Sequence, residues 1–357
     1  MDLKITPLDD ANLKEPLRDN FGFGNKFSNR MFTQYYNPEQ GWHEASIGPY
    51  QPFQLDPATA VFHYAQEIFE GTKAYRREDG RINLFRPWEN MKRFNRSAQR
   101  MAMPVVDEEE HLEAIIKLIE LEADWVPDPP AALYIRPTMI ASQAALGVHA
   151  SREYIHFVIV GPVGAYFKEG FKPIPVYISD TYRRAVKGGV GDAKTGGNYA
   201  ASLFVGEDAK KRGYSQVLWL DAVNGRYIEE VGAMNICFVY EGNKIVTPPL
   251  TGSILPGVTR ASVLELGRDL GYEVAEEMLD VHDVLAAIEQ GKITEVFGCG
   301  TAAVIAPVGK LGYQDKEYAI NGHETGPVAQ RLYDELTGIQ YGRIPDRFGW
   351  IHTIDVE

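Results

Sequence analysis

The chain has 357 residues, and at roughly 150 residues per domain this length predicts two domains. Hydrophobic residues make up 45% and charged residues 24%, which is typical of a globular protein with a large buried core. Lys and Arg total 36 against 49 for Asp and Glu, giving a formal net charge of −13. That balance argues against nucleic acid or an anionic membrane surface as a partner, because both require a net basic face.

Cysteine content and hydropathy indicate the compartment. The two cysteines, Cys237 and Cys299, form no CxxC motif, so a reducing compartment is expected. The segment MDLKITPLDD is acidic and lacks an apolar stretch, so no signal peptide is expected. The uncharged segment YIHFVIVGPVGAYF is too short to span a bilayer. Together these features predict a cytoplasmic protein with no membrane partner.

The first half predicts loops, helices and strands in turn. Residues 1–60 are rich in Pro, Gly, Asn and aromatic residues and predict loops and short strands, including 42–47. Apolar residues at three- and four-residue spacing predict a helix over 88–101. A second helix, over 107–125, begins at a run of four acids, which suits a helix start better than a metal site. No metal site is expected. Two β-rich runs follow, at 132–140 and 154–160.

The segment FKEGFKPIPV, rich in Pro and Gly, predicts a linker between domains. The predicted domains are therefore 1–168, a linker at 169–175, and 176–357. Asn198 is predicted to cap a helix that runs to Arg212, and Thr259 another that ends at Gly271. Further predicted elements of the second domain are strands at 176–179, 216–221, 235–240, 244–247 and 295–297, a turn at 224–225 and a helix at 281–290. Strands and helices are mixed, so the predicted class is mixed α/β (α+β).

The most informative stretch is KGGVGDAKTGGNYAAS, residues 187–202, in which five glycines surround Lys194. Gly188 to Thr195 comes one residue short of the phosphate-binding motif GxxxxGK[ST], because Ala193 replaces its second glycine. The predicted strand also ends eight residues before the motif begins, whereas a P-loop follows its strand directly. The alternative is a nucleophilic lysine that carries a carbonyl cofactor, since burial in an apolar loop favours the neutral amine.

Other segments could supply what a pyridoxal phosphate enzyme needs besides its lysine. Glu230 follows a predicted strand that ends at a glycine and could face the pyridine nitrogen. Tyr199 lies close enough in sequence to Lys194 to reach the ring's phenolic oxygen. The segment TGSILPGVTR ends at a predicted helix start, where backbone N–H groups and the helix dipole favour an anion. Thr301 adds a hydroxyl in the turn GCGT.

Ten segments together resemble the branched-chain amino acid aminotransferases, members of the type IV fold group of pyridoxal phosphate enzymes. They are QPFQLDPATAVFHYAQEIFEGTKAYR, LFRPWENMKRF, LYIRPTMIA, GPVGAYF, GGVGDAKTGGNYAAS, QVLWLD, EVGAMN, IVTPPLTGSILPGVTR, EVFGCGTAAVIAPV and IQYGR. The match covers nearly the whole chain and follows the longer branch of the family. It implies a two-domain fold with pyridoxal 5′-phosphate at the domain interface.

The resemblance also implies the roles of individual residues. Lys194 matches the Schiff-base lysine. The residues that match cofactor contacts are Arg93, Val258, Thr259 and Thr301 at the phosphate, Tyr199 at the phenolic oxygen, Glu230 at the pyridine nitrogen, Leu255 on the ring face, and Gly257 in the phosphate turn. The residues that match the substrate pocket are Phe69, Tyr134, Arg136, Tyr166 and Ala302, with Tyr64 reaching it from the other subunit of a homodimer. Ala303 and Ala306 replace the redox CxxC of animal enzymes, so no thiol switch is expected.

The implied reaction is the reversible transfer of the amino group of L-leucine, L-isoleucine or L-valine to 2-oxoglutarate. Lys194 would anchor the cofactor and carry a proton between the substrate's Cα and the cofactor's C4′. The alternatives are a D-amino acid aminotransferase or an aminodeoxychorismate lyase of the same fold. Those proteins are shorter and lack the LFRPWENM and PPLTGSILPGVTR forms.

Overall fold

The structure is a computed structural model that describes residues 1–9, 13–164, 166 and 170–356. Its described residues form two compact units of mixed α/β structure, which confirms the predicted class. The first unit comprises Met1–Tyr166, Ala193–Gly196 and Gly338–Glu357, and the second comprises Phe167–Asp192 and Gly197–Thr337. The units differ from the predicted domains 1–168 and 176–357 because the segment with Lys194 and the end of the chain belong to the first unit. Part of the predicted linker lies outside the described residues.

The first unit contains a nine-stranded sheet. Its strands are β1 (Lys4–Ile5), β2 (Arg30–Asn37), β3 (Gly41–Pro49), β4 (Glu67–Phe69), β5 (Thr72–Arg76), β6 (Ile82–Phe85), β7 (Ala132–Ala141), β8 (Tyr154–Val163) and β18 (Ile351–Ile354). Their order is β1-β3-β2-β8-β7-β5-β6-β18, with β4 paired to β7. All pairs are antiparallel except β1–β3. Polar and apolar residues therefore alternate between two faces of the sheet.

Helices cover this sheet through their apolar stripes. They are α1 (Ala60–Tyr64), α2 (Pro87–Arg100) and α3 (Glu108–Leu121), followed by a 3₁₀ turn at Ala123–Trp125. The acid run starts α3 as predicted, and the Asp107 carboxylate accepts the Glu110 N–H at 2.9 Å. Ile115 and Leu118 of α3 are fully buried in one apolar cluster with Leu84 and Leu133 of the sheet. This packing holds β4 to β7 in place, and those strands carry most of the predicted substrate residues.

The second unit contains another nine-stranded sheet. Its strands are β9 (Ile174–Ile178), β10 (Gln216–Leu220), β11 (Ile228–Val231), β12 (Met234–Tyr240), β13 (Lys244–Thr247), β14 (Glu273–Glu276), β15 (Ile293–Gly300), β16 (Val304–Tyr313) and β17 (Lys316–Ala319). Their order is β11-β10-β9-β16-β15-β12-β13-β14, with β17 on β16. Because β11 pairs with both β10 and β12, six of the strands form a closed ring. The helices are α4 (Gly196–Lys211), α5 (Val258–Asp269), α6 (Val281–Glu289) and α7 (Pro327–Gln340).

Two predicted helix starts were wrong. Helix α4 begins at Gly196 rather than after Asn198, whose side chain donates to the Val190 carbonyl at 2.7 Å. Helix α5 has Gly257 rather than Thr259 as its N-cap. Helix α7 and strand β2 were not predicted as elements. Among the described residues, no helix combines the length and the apolar character that crossing a lipid bilayer requires.

Candidate active site

Lys194 is half-buried and its backbone is fixed by hydrogen bonds within the first unit. Its N–H donates to Ser97 Oγ at 2.9 Å, and its carbonyl accepts the Phe69 N–H at 3.0 Å. The hydroxyl of Thr195 donates to the Glu67 carbonyl at 2.7 Å. The side-chain ammonium lies 4.9 Å from the centroid of the Phe69 ring. Strand β4 and helix α2 therefore determine where this amine points.

A buried ion pair lies near this lysine. Arg93 Nε donates to Glu70 Oε1 at 2.7 Å and Arg93 Nη2 to Glu70 Oε2 at 2.9 Å, which is a bidentate geometry. Asn90 Nδ2 and the Gly71 N–H also donate to Glu70 Oε2, at 2.9 and 3.1 Å. Burial alone would raise the pKa of Glu70, but the attraction of Arg93 and of Lys194 and these hydrogen bonds lower it below 4.5. The predicted phosphate contact Arg93 is thus held rigidly by a carboxylate.

An aromatic cluster adjoins Arg136 in the first unit, where the sequence predicted a substrate pocket. We define it as Phe23, Phe69, Tyr134 and Tyr166. The Phe23 ring makes edge contacts with those of Tyr134 and Tyr166, at centroid distances of 5.3 and 5.1 Å. The Arg136 guanidinium lies 4.7 Å from the Phe69 centroid and donates to the Tyr134 hydroxyl at 3.0 Å. Apolar ring faces and a cation are therefore presented side by side.

The residues around the aromatic cluster constrain its shape. A Cβ on Gly71 would come within 2.1 Å of the Tyr134 hydroxyl, so this glycine allows the ring its position. Likewise, a Cβ on Gly196 would come within 1.9 Å of Glu67 Oε1. Burial raises the pKa of Glu67, and attraction to Arg136 opposes that rise. Glu67 is therefore a half-buried acid within electrostatic range of the cluster's cation.

Tyr64 is placed differently from the other predicted substrate residues. It lies at the end of α1 with 38% of its surface exposed, and its hydroxyl donates to the Leu146 carbonyl. The described contacts of the aromatic cluster do not include it. Phe62, Leu146 and Val148, which are also exposed, lie on the same two segments as this contact.

In the second unit, Glu230 is buried on β11 with defined partners. Its Oε2 lies 2.8 Å from Arg184 Nε, and both side chains are less than a tenth exposed. Its Oε1 accepts the Leu255 N–H at 2.7 Å and Asn235 Nδ2 at 3.4 Å. Glu230, Asn235 and Cys299 are direct cross-strand partners on β11, β12 and β15, so their side chains share one face of the sheet.

The predicted phosphate turn lies next to Glu230. Leu255 is buried, and its carbonyl accepts Asn235 Nδ2 at 3.0 Å. Gly257 is the N-cap of α5, and no side chain caps the N–H groups of the first turn, which includes Val258 and Thr259. A Cβ on Gly257 would come within 2.0 Å of Asn235 Oδ1, so only glycine fits here. Such a helix start favours an anion.

The last three predicted residues lie in turns or at a helix start. Tyr199 is half-buried in the first turn of α4. Thr301 and Ala302 occupy the turn between β15 and β16, at the end of the sheet where β12 begins. Among the described residues, no cluster of His, Cys, Asp and Glu suited to a metal ion was found.

Comparison with known proteins identifies the family. The family described as amino-transferase class IV matches residues 67–311. This chain is a class IV aminotransferase. It is 51% identical over 339 residues to a probable branched-chain-amino-acid aminotransferase of Staphylococcus aureus, covering 94% of each chain. It is 50% identical over 345 residues to branched-chain-amino-acid transaminase 1 of Bacillus subtilis, covering 96% of each.

Solved structures agree with this class IV assignment. The branched-chain amino acid aminotransferase of Escherichia coli matches with a TM-score of 0.74 at 30% identity, over 90% of this chain and 98% of that one. A thermophilic branched-chain amino acid aminotransferase, solved with pyridoxamine 5′-phosphate and designated T.th., matches with a TM-score of 0.75 at 27% identity, over 91% and 98%. The cofactor of the class IV enzymes is pyridoxal 5′-phosphate, as predicted.

The residues of this class IV enzyme fit that cofactor. A buried carboxylate with a cationic neighbour, Glu230 with Arg184, suits a protonated ring nitrogen. The uncapped start of α5, approachable because Gly257 has no Cβ, suits a phosphate. Sequence analysis missed Arg184, Glu70, Asn235 and Phe23. Of these, Arg184 had a signal, because it precedes the glycine-rich loop in the basic pair of TYRRAV.

Proposed function

We propose that this chain is a branched-chain amino acid transaminase, which reversibly transfers the amino group of L-leucine, L-isoleucine or L-valine to 2-oxoglutarate. Relatives at about half identity over nearly the full length carry this name and support the proposal. The structural observation that carries it is the aromatic cluster with Arg136 on the Phe69 face. One substrate of the pair is aliphatic and the other carries a γ-carboxylate, and this cluster offers a surface to each.

When bound, pyridoxal 5′-phosphate supplies an aldehyde carbon that takes up the amino group and a ring that withdraws electrons. Lys194 holds that carbon through its amine and, once displaced, moves a proton between the substrate's Cα and C4′. Its backbone bonds to Ser97 and Phe69 keep the amine aimed through both steps. Glu230 holds a proton at the ring nitrogen, since its carboxylate is buried beside a guanidinium.

The other proposed cofactor residues orient the ring and phosphate. Tyr199 donates to the phenolic oxygen, and Leu255 packs on the ring face. The groups proposed to bind the phosphate are the Arg93 guanidinium, the backbone N–H groups after Gly257 at Val258 and Thr259, and the Thr301 hydroxyl. A guanidinium that is already fixed by a carboxylate loses little freedom when it binds a phosphate.

The substrate side chain is proposed to lie against Phe69, Tyr134 and Tyr166, close to Ala302. Burial of a leucine side chain against such rings excludes water and contributes about 1.5–3 kcal/mol. Arg136 would pair with the γ-carboxylate of glutamate or 2-oxoglutarate, since a guanidinium binds carboxylates through charge-assisted hydrogen bonds. Its contacts with Phe69 and Tyr134 keep its cationic group beside the apolar wall.

A cytoplasmic homodimer is part of the proposal. Tyr64 would then reach the substrate site of the partner subunit, which is consistent with its exposed position in α1. Exposed Phe62, Leu146 and Val148 near it are the kind of apolar surface that a subunit contact buries.

A panel of amino donors tests the function. The purified protein is assayed with 2-oxoglutarate and L-leucine, L-isoleucine, L-valine, D-alanine or L-aspartate, while glutamate formation is followed. The three branched L-amino acids are expected to be the best donors, with D-alanine inactive. A parallel assay with aminodeoxychorismate is expected to give no product. D-alanine as the preferred donor, or conversion of aminodeoxychorismate, would replace the proposal by one of the alternatives.

A further inference from the structure

Arg184 connects three segments of the second unit through a single buried side chain. Its Nε lies 2.8 Å from Glu230 Oε2. Its Nη1 donates to the Ser253 carbonyl at 2.9 Å, and its Nη2 to the Gly191 carbonyl at 3.2 Å. The residue is only 8% exposed. One guanidinium therefore links strand β11, the turn before α5 and the glycine-rich loop before Lys194.

Each of these segments matters for the proposed function. Strand β11 carries the carboxylate assigned to the ring nitrogen, and the turn that contains Ser253 leads to the proposed phosphate contacts. Gly191 lies three residues before Lys194. The approach at Gly191 is close, since a Cβ there would come within 2.3 Å of the Ser253 carbonyl oxygen. The loop and the turn are thus packed against each other at the point where Arg184 bonds to both.

The two neighbouring glutamates strengthen this arrangement from β11. Glu230 accepts the Leu255 N–H at 2.7 Å, and Glu229 accepts the Ser253 hydroxyl. Burial raises the pKa of Glu229, while its bond with Ser253 opposes the rise. A buried carboxylate such as that of Glu230 stays ionised when a cation and N–H donors offset its desolvation. Arg184 is the cation in contact with it.

We propose that Arg184 is a positioning residue for the transamination reaction, which acts by holding Glu230 ionised and aligned while it fixes the turn at Ser253 and the loop at Gly191. This assignment rests on the proposed function. It makes Arg184 necessary for cofactor affinity and turnover, although the residue is not itself assigned a contact with the cofactor or substrate. A planar fork with several donors is required for this, and a lysine has only one ammonium.

The neighbouring arginine provides a matched control. Arg183 is also partly buried, but its donors bind carbonyls of residues 179–182 and of Asp221, away from Glu230. Arg183→Gln therefore removes the same charge from the adjacent position without touching the site. It is expected to leave cofactor affinity and turnover within about 2-fold of the wild type.

The test compares Arg184→Gln, Arg184→Lys and Arg183→Gln as full-length holoenzymes. Each is dialysed to equilibrium at decreasing pyridoxal phosphate, and bound cofactor is measured by visible absorbance. Arg184→Gln is expected to weaken cofactor binding and to lower kcat by about 10- to 100-fold each, with a smaller change in KM for leucine. Arg184→Lys is expected to restore kcat in part, because it returns a positive charge to Glu230. If Arg184→Gln does not fold, the lysine variant decides the question by the same two readouts.

A double-variant cycle separates positioning from a general effect on folding. If Arg184 acts through Glu230, then Arg184→Gln in a Glu230→Gln background lowers kcat further by less than about 3-fold. Independent, multiplying losses would overturn the proposal. So would wild-type cofactor affinity in Arg184→Gln. A wild type that neither binds the cofactor nor transaminates would instead contradict the proposed function, so the two failures are distinguishable.

Discussion

Both units contain a buried pair of arginine and glutamate, and the two pairs are built differently. In the first unit, Arg93 binds Glu70 through two parallel hydrogen bonds of 2.7 and 2.9 Å. In the second, Arg184 contacts Glu230 at 2.8 Å and uses its other two nitrogens for main-chain carbonyls. Glu70 gathers donors from its own surroundings, whereas Arg184 reaches segments far apart in sequence. Similar charges are therefore used once for a rigid local anchor and once for a link between segments.

The difference indicates what each pair contributes. Under the proposed function, the arginine of the first pair meets the ligand and its glutamate holds it. In the second pair the glutamate meets the ligand and its arginine holds it. A bidentate pair whose partners depend on each other suffers most when one is removed, since the other is left buried with an uncompensated charge. Arg184 retains two carbonyl acceptors if Glu230 is changed.

The largest expected effect on stability comes from the first pair. Glu70→Ala is expected to lower the free energy of unfolding by about 3–5 kcal/mol, because it leaves the Arg93 guanidinium buried without its carboxylate. Urea denaturation at neutral pH measures this. Glu230→Ala should cost clearly less. Equal losses at the two positions would remove the distinction between the pairs.

The pH dependence of that loss follows from the sign of the shift. The pKa of Glu70 is lowered in the folded state, so its stabilising contribution is complete above about pH 4.5 and is lost as the pH falls through the folded-state pKa. The difference between wild type and Glu70→Ala should therefore shrink below pH 4.5. Glu120→Ala is a control, since its pair with Lys117 on α3 is exposed and should change stability by about 0–1 kcal/mol at any pH.

The next effect concerns the substrate wall of the first unit. Arg136→Met keeps an apolar side chain of similar length beside Phe69 but removes the cation. We expect kcat/KM for 2-oxoglutarate to fall by about 10- to 100-fold, because a charge-assisted hydrogen bond is lost. The KM for leucine should change much less. Steady-state kinetics with each substrate varied in turn show the split, and Arg152→Met, at an exposed position, is the control. An equal loss for both substrates would mean that Arg136 does not select the γ-carboxylate.

A glycine substitution in the second unit has a smaller expected effect, and its sign depends on position. Gly257→Ala would force a Cβ against Asn235 and should weaken cofactor binding by about 10-fold, through an overpacking cost of about 1–3 kcal/mol. Gly206→Ala, in the middle of α4 where nothing lies within 4 Å of the added Cβ, should stabilise the protein by about 0.5–1 kcal/mol. Cofactor titration and thermal unfolding measure the two. Unchanged cofactor affinity in Gly257→Ala would remove the phosphate role of the α5 start.

Local sequence patterns predicted most elements because their signals lie within them. The acids at Asp107–Glu110 placed the start of α3, and Asn224-Gly225 placed a turn, with Gly225 at a φ of 63°. Two adjacent glycines, Gly196 and Gly197, are poor helix formers and shifted the predicted start of α4 to Asn198. Helix α7 was missed because its cap is not local. Its first N–H groups, at Val328 and Ala329, donate to the carboxylate of Glu295 on β15.

The same limit applies to the candidate site. Lys194 and Glu230 could be found, since one is set among glycines and the other follows a strand that ends at a glycine. Their supporting residues could not. Glu70 and Arg184 pair with residues 23 and 46 positions away, and no periodic pattern marks an ion pair made by packing. Residues that touch a ligand carry a chemical signature in the sequence, whereas those that hold them in place are revealed by the fold.

The attachment of the cofactor at Lys194 is the central claim, and chemical trapping tests it most directly. The yellow holoenzyme is treated with borohydride, digested, and searched by mass spectrometry for the lysine that has gained the pyridoxyl group. The account predicts that Lys194 alone is modified in stoichiometric amount, that Lys194→Ala loses the visible band and turnover by more than about 10⁴-fold, and that Lys187→Ala, in the same loop, loses neither. Trapping on another lysine, or full transamination by Lys194→Ala, would contradict it.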